Sequence, residues 1–365
     1  MKVLILGGYG FFGRRIAAAL VSQPGLRVVI GGRHIDAARA AAASLGLDAS
    51  HAAAFDAMGD DLGARLAALE PGLVIHTAGP FQGQRYEVAR AAIDAGAHYA
   101  DLADGREFVA GIVELDATAR SRNVLVTSGA SSVPALSSAV VDRHLRQFAT
   151  LEAIHCGISS SSRTPGLATM RSVFSYCGRP FARLEDGRWR TVDGWMGSQR
   201  HVFPPPLGAR WVGNCNVPDL ELFPSRYPTV RTVTFRAGLP SAAAHFSVWL
   251  GAGLVKWGAL STLAKWAPLF HRLSRSVERF GSDGSGMYVT MEGADSDGGR
   301  RALTWHLLAA QHDGPYIPCG AVIALAKKLA RGDPLPTGAM PCVGLIDLDD
   351  YLDALSGFHI RTILQ

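Results

Sequence analysis

Over the first third of the chain, short apolar runs alternate with apolar residues at helical spacing. Val3 to Leu6 is a four-residue run, suited to a strand buried on both faces. From Phe12 onward Ile16, Ala17, Leu20 and Val21 recur at helical spacing. The same alternation then repeats. Leu26 to Ile30 predicts a second strand, and the alanine-rich stretch Ile35 to Leu45 a helix. Ala52 to Phe55 predicts a third strand, and Leu62 to Leu69 a helix stopped by Glu70-Pro71-Gly72. Leu73 to His76 is the fourth strand, and Tyr86 to Ala95 a helix with Gly96 as its stop. His98 to Leu102 and Asn123 to Thr127 are the fifth and sixth strands. Strands separated by helices in this way predict an α/β fold with a doubly wound parallel sheet, a Rossmann domain over residues 1–145.

From Leu151 the pattern changes. LEAIHCGIS reads as a strand, Leu167 to Cys177 as a helix, and Arg183 to Val192 as a hairpin turning at Gly187. Phe203-Pro204-Pro205-Pro206 is a rigid loop, and Arg231 to Phe235 a strand. Met287 to Glu292 and Ala302 to Ala310 read as paired strands, with Asp295, Asp297, Gly298 and Gly299 as a polar hairpin loop rather than a cation site. Residues 146–315 are therefore expected to form an α+β domain with a mixed or antiparallel sheet, serving substrate binding or dimerisation. His245 to Leu273 is apolar but interrupted by Lys256 and Lys265 and broken by Pro268, so it is not a spanning helix. It reads first as a buried helix or a contact in an expected homodimer. A second reading, from its Trp249, Trp257 and Trp266, is an interfacial helix at a membrane surface.

Candidate chemistry begins between the first strand and first helix. Gly8, Gly10 and Gly13 fall in G-x-G-x-x-G, with Tyr9, Phe11 and Phe12 completing the loop. Gly8 permits the tight turn, Gly10 lets a diphosphate approach the backbone, and Gly13 lets helix and strand lie close. The unpaired N–H groups and positive dipole end of the helix then hold phosphates. The second strand ends in Gly31-Gly32-Arg33-His34, with no carboxylate before Asp36. An NAD-selective site usually places an acid here for the ribose 2′-OH, whereas an arginine pairs with a 2′-phosphate. The expected cofactor is therefore NADP(H) rather than NAD(H). Asp56, ending the third strand, either meets the adenine amino group or caps the following turn. Ala78, Gly79 and Pro80, after the fourth strand, are small enough to let a cofactor lie against the backbone.

For catalysis, Asp101, Tyr86 and Ser131 are the candidates near strand ends. Asp101 serves as an acid if burial raises its pKa, or merely caps the turn after it. Tyr86 is equally a core residue of its helix, and His76 reads as a core histidine. No S-x-x-x-Y-x-x-x-K arrangement is present, and no nucleophile–histidine pair appears locally, which disfavours hydrolysis.

At 365 residues with 48 % hydrophobic and 18 % charged residues, the chain can bury a large core and has no signature of disorder. The net charge of +5 is scattered, without a Lys/Arg run, which argues against nucleic acid as a partner. Five cysteines, none in C-x-x-C, disfavour a metal site or disulfide framework and fit a reducing cytoplasm. Lys2 and the apolar run after it imitate a signal peptide, but the glycines and Arg14-Arg15 argue against secretion.

The blocks GGYGFFGRRIA, TAGPF, AIDAGAHYADLADG and VTSGASSVPALSS, in that order, resemble the saccharopine dehydrogenase-like family in its NADP-binding domain. AQHDGPYIPCGAVIALAKKLARG and GAMPCVGL resemble carboxyl-terminal parts of uncharacterised members. The resemblance implies a Rossmann domain, an α+β domain, and closing helices over 316–365 that pack back on the first domain. It also extends to the trans-acting enoyl reductases of lipid biosynthesis. Authentic saccharopine reductases carry an acidic, amino-acid-binding pattern after the sixth strand. Here that stretch, Ser128 to Ser138, has no charged residue, which argues against saccharopine and for a less polar substrate. The expected function is an NADP-dependent oxidoreductase acting on a small or lipid-like carbonyl, imine or enoyl compound. The alternatives are a non-catalytic NADP(H) sensor and a reductase of lipid metabolism at the membrane periphery.

Overall fold

The computed structural model describes residues 1–278 and 282–365. The chain divides into two compact units, Met1–Leu136 with Tyr316–Ala354, and Ser137–Pro315 with Leu355–Gln365. The first opens with β1 (Lys2–Leu6), α1 (Gly13–Leu20), β2 (Arg27–Gly32), α2 (Ile35–Ser44), β3 (Ala52–Ala54) and α3 (Leu62–Leu69). It continues with β4 (Leu73–His76), α4 (Glu87–Asp94), β5 (His98–Asp101), α5 (Arg106–Gly111), α6 (Asp116–Ser121) and β6 (Leu125–Ser128). The second unit supplies α7 (Ser137–His144), β7 (Thr150–Ser159), α8 (Leu167–Tyr176), β8 (Pro180–Glu185), β9 (Arg188–Asp193), β10 (Gln199–Phe203) and β11 (Gly208–Asn214). Then come α9 (Asp219–Arg226), β12 (Thr232–Gly238), α10 (Ala242–Lys256), α11 (Ala267–Val277), β13 (Ser285–Ala294) and β14 (Arg300–Ala309). The chain returns to the first unit with α12 (Gly320–Arg331), β15 (Gly338–Pro341) and α13 (Leu348–Asp353), and ends on β16 (Ile360–Leu364) in the second.

The first sheet is parallel, in the order β15-β6-β5-β4-β1-β2-β3. Its register explains why the apolar runs were readable. Ala339, Val126, Tyr99, Val74, Leu4 and Val29 are successive partners across it and form one buried row. Leu62 and Leu66 of α3, and Val88, Ala92 and Ile93 of α4, belong to the same core. Two residues further along the strands the row becomes Gly31, Leu6, His76 and Asp101. Polar side chains thus replace apolar ones at the carboxyl ends, where α/β sheets bind ligands.

The closing segment is not helical throughout. β15 is a seventh, edge strand beside β6, and β16 pairs with β14 of the second unit. Neither alternates clearly in sequence. β15 is only Gly-Ala-Met-Pro, with Pro341 at its end, where a missing N–H is tolerated.

The second sheet is mixed, in the order β10-β11-β12-β7-β13-β14-β16, and β8 pairs with β9 separately. β12 and β7 run parallel and the other pairs antiparallel. The row Phe235, Cys156, Val289 and Trp305 makes one face apolar. The neighbouring row Thr234, His155, Thr290 and Thr304 is polar, tied by His155 Nδ1 to Thr234 Oγ1 at 2.9 Å and Thr290 Oγ1 to Thr304 Oγ1 at 3.0 Å. The loop between β13 and β14 is closed by Asp295 Oδ1, which accepts from the amides of Asp297 and Gly299. Among the described residues no cluster of three metal-type ligands occurs.

Asp219, the first residue of α9, is fully buried and accepts a hydrogen bond from Ser137 Oγ of α7. Burial raises its pKa to about 7. An acid whose folded pKa exceeds its unfolded one stabilises below the unfolded value and loses that contribution as pH rises through the folded one. Asp219→Asn should therefore flatten the stability difference between pH 4 and 7 by a few kcal/mol, on the order expected for a shift of this size. Chemical denaturation of wild type and variant across that range measures it. Parallel curves would contradict the assignment.

The stretch read as a buried helix or dimer contact is two helices, α10 with one buried side and α11 buried only at Ala267 and half-buried at residues such as Phe270. On α10 His245, Val248 and Ala252 face inward, while Phe246, Leu250, Leu254 and the following Trp257 are exposed. Of the readings of this stretch, a fully buried helix is corrected, because α10 has an exposed apolar face beside its buried one; a dimer contact and a membrane-facing helix both fit that face.

Candidate functional site

The glycine loop has the features a diphosphate cradle needs. A methyl at Gly10 would lie 2.9 Å from Gly7 O. One at Gly13 would be driven into that same oxygen and lie 2.7 Å from Gly8 Cα. Gly7 N and Gly8 N donate to Gly31 O, tying the turn to β2. Among the described residues the amides of Phe11, Phe12 and Gly13 donate to nothing, and no side chain caps α1. Three unpaired donors at a helix start, beside backbone with no room for Cβ atoms, fit a diphosphate.

Sequence reading missed two supports of this loop. Arg15 is 5 % exposed, donates to Phe11 O, and holds its guanidinium 4.3 Å from the Phe11 ring centre and 5.2 Å from that of Tyr316. A buried cation directly behind the loop adds positive potential. Thr77 Oγ1 donates to Leu6 O at 2.9 Å and lies 3.2 Å from Gly7 O, joining the end of β4 to the loop. The signal for Arg15 was a charge inside an otherwise apolar helix face.

At the end of β2, Arg33 and His34 are exposed. No carboxylate pairs with Arg33 among the described residues, so its guanidinium can take a phosphate. Tyr9 lies over Gly32, where a Cβ would come within 2.7 Å of its ring, and its hydroxyl accepts from His34 N at 3.2 Å. The loop and the arginine corner are thereby held together. Asp56 is exposed, and its Oδ1 accepts from Met58 N at 3.1 Å, so it caps the local turn. The Ala78-Gly79-Pro80 segment is braced by Gln84, whose Nε2 donates to Ala78 O at 3.1 Å and Pro80 O at 2.7 Å. Ala78, Gly79 and Pro80 are all partly exposed.

Asp101, Tyr86 and Ser131 differ sharply in surroundings. Asp101 is fully buried. Its Oδ1 accepts from Gly129 N at 2.8 Å, Ala103 N at 2.9 Å and Ser128 Oγ at 2.9 Å, and its Oδ2 from Tyr99 OH at 3.0 Å. Burial outweighs these bonds and raises its pKa to about 6. Tyr99 OH in turn lies 3.1 Å from Nδ1 of buried His76, whose pKa burial lowers to about 4. With Tyr99 donating to the carboxylate, His76 Nδ1 carries the proton given to Tyr99. Asp101 is thus the knot that fixes the turn at Gly129, whose φ is +78°. Tyr86 OH donates to Phe108 O at 2.6 Å and its ring packs on Phe108, and burial raises its pKa to about 12. Ser131 is 7 % exposed, its amide donates to Gly129 O at 2.7 Å, and its hydroxyl has no partner among the described residues.

A parallel sheet with this loop at its first strand end defines the dinucleotide-binding domain of an oxidoreductase fold. Residues 3–144 match the family model described as the saccharopine dehydrogenase NADP binding domain, so that part of the chain is a domain of this kind. NADP(H) is the cofactor of that domain. Among solved structures the chain is similar to apo histidine-tagged saccharopine dehydrogenase (L-Glu forming) from Saccharomyces cerevisiae. That match has 14 % identity and a TM-score of 0.71, covering 100 % of this chain and 99 % of that one. It is also similar to an amine dehydrogenase from Mycobacterium smegmatis, with 12 % identity and a TM-score of 0.51, covering 95 % and 96 %. At such identities the likeness is one of fold. No curated protein sequence matches the chain.

Proposed function

We propose that the protein is an NADPH-dependent reductase of a small or lipid-like compound presenting a C=O, C=N or C=C bond. The observation that carries this reading is the trio of unpaired amides at Phe11, Phe12 and Gly13 together with an unopposed Arg33 at the end of β2. NADPH supplies hydride when bound. The chain's own residues bind and orient. The loop amides hold the diphosphate, Arg33 holds the 2′-phosphate, and Ala78 to Pro80 give a small-residue surface beside it. Ser131 is the group of the three candidates with a hydroxyl to offer a substrate atom, and Asp101 positions the turn that carries it. Tyr86 anchors α5 through Phe108. The segment from Ser128 to Ser138 offers no charge to a zwitterion, which supports a weakly polar substrate over saccharopine. Five buried cysteines, none of them in a disulfide among the described residues, support a reducing compartment such as the cytoplasm.

The test is NADPH consumption by the purified protein with a panel of aldehydes, ketones, cyclic imines and enoyl thioesters. Turnover with one class and not with saccharopine is expected. Tight NADPH binding with no turnover on any class would instead favour a sensor of the cofactor.

A further inference from the structure

The outer surfaces of α10 and α11 carry an unusual concentration of exposed apolar side chains. Of thirteen large apolar residues exposed on the described chain, seven lie between Phe246 and Leu273. On α10 and the residue after it, Phe246, Leu250, Leu254 and Trp257 recur at helical spacing, and Trp257 is 69 % exposed. On α11 and the residue before it, Trp266, Leu269 and Leu273 do the same. Leu263 packs under Gly251 and holds the connecting turn against α10.

The charge along these stripes is mostly positive, with Glu278 at the end of α11 and Asp193 beside Lys256 as the nearby acids. From Leu222 to Val277 the sequence contains no Asp or Glu. Within 242–277 it contains Lys256, Lys265, Arg272 and Arg275. Lys256 pairs with Asp193, but Lys265, Arg272 and Arg275 are exposed without a carboxylate partner among the described residues. His271, Arg272, Arg275 and Ser276 line a shallow cleft on α11.

We propose that this face docks on the surface of an anionic lipid bilayer. Apolar residues with tryptophans, flanked by cations, are the chemistry of an interfacial helix: the rings sit at headgroup depth and the cations meet lipid phosphates. Among the described residues no helix is long and apolar enough to cross a membrane, so the contact is peripheral. A second copy of this chain fits less well. A twofold contact apposes the same patch from each copy, which sets a mostly cationic surface against itself and offers Lys265, Arg272 and Arg275 few acids to pair with. The inference stands independently of the cofactor reading.

The test is sedimentation of the full-length protein with phosphatidylcholine vesicles, with and without phosphatidylglycerol. Wild type should pellet with the anionic vesicles, more weakly with the neutral ones, and less as salt is raised. Trp257→Ser with Trp266→Ser should weaken binding to both by about tenfold or more. Lys265→Ala with Arg272→Ala should weaken binding to anionic vesicles by roughly thirtyfold and leave neutral ones nearly unchanged. All four side chains are exposed, and the wild-type dependence on lipid charge and salt stands even where a variant folds poorly. The proposal is overturned if wild type stays in the supernatant with every vesicle, or if the tryptophan variant folds and pellets as wild type does. It is also overturned if light scattering shows a dimer that the tryptophan variant splits while vesicles bind neither form.

Discussion

Gly13→Val should abolish measurable NADPH binding at concentrations that saturate wild type. The new side chain has nowhere to go: its first carbon meets Gly7 O and Gly8 Cα. The loop must open, and the amides of Phe11, Phe12 and Gly13 then no longer converge. Hydrogen bonds to a charged group contribute about 1.5 to 3 kcal/mol each, so losing two of three weakens binding by more than about a hundredfold. Loss of intrinsic fluorescence change on titration measures it. Undiminished binding by a folded variant would place the diphosphate elsewhere.

Asp101→Ala should be the most destabilising single substitution in the first unit outside its apolar core. Four donors end on that carboxylate, from Tyr99, Ala103, Ser128 and Gly129, and none can reach water from its buried position. Each orphaned donor costs about 1 to 3 kcal/mol. Part is regained because a buried charge is removed. A net loss of roughly 3 to 5 kcal/mol follows, seen as a fall in melting temperature of about 10 °C. Asp101→Asn, which keeps an accepting oxygen, should lose much less. A catalytic group would behave in the opposite way, with Asn abolishing turnover at unchanged stability.

These two residues also show what could be read before the fold was known. Gly13 was legible because its role is steric and local: strand, glycine turn and helix follow one another within twenty residues. The inner strands β1, β2 and β4 were legible because both faces of a parallel sheet are buried there, so each became an apolar run. Asp101 was legible as buried and polar, but not as a four-way acceptor. Its partners Ser128 and Gly129 come from the next strand, and only the register places them beside it. Arg15 stood out only as a charge in an apolar helix face; its partner could not be read, since Tyr316 reaches it from three hundred residues away. β15 and β16 were missed because edge strands need no alternation to pair. The tryptophan helices stayed open between buried, dimer-contact and membrane-facing readings because apolar composition alone does not say which surface is inside.

The central claim is that bare amides after β1 and a cation after β2 together select a phosphorylated dinucleotide. Calorimetric titration of wild type and Arg33→Asp with NADPH and NADH tests both halves at once. Wild type should bind NADPH at least about tenfold more tightly than NADH, and the variant should lose that preference, since a charge-assisted contact is worth about 2 kcal/mol. Equal binding of the two nucleotides by wild type, or an unaltered preference in the variant, would contradict the account.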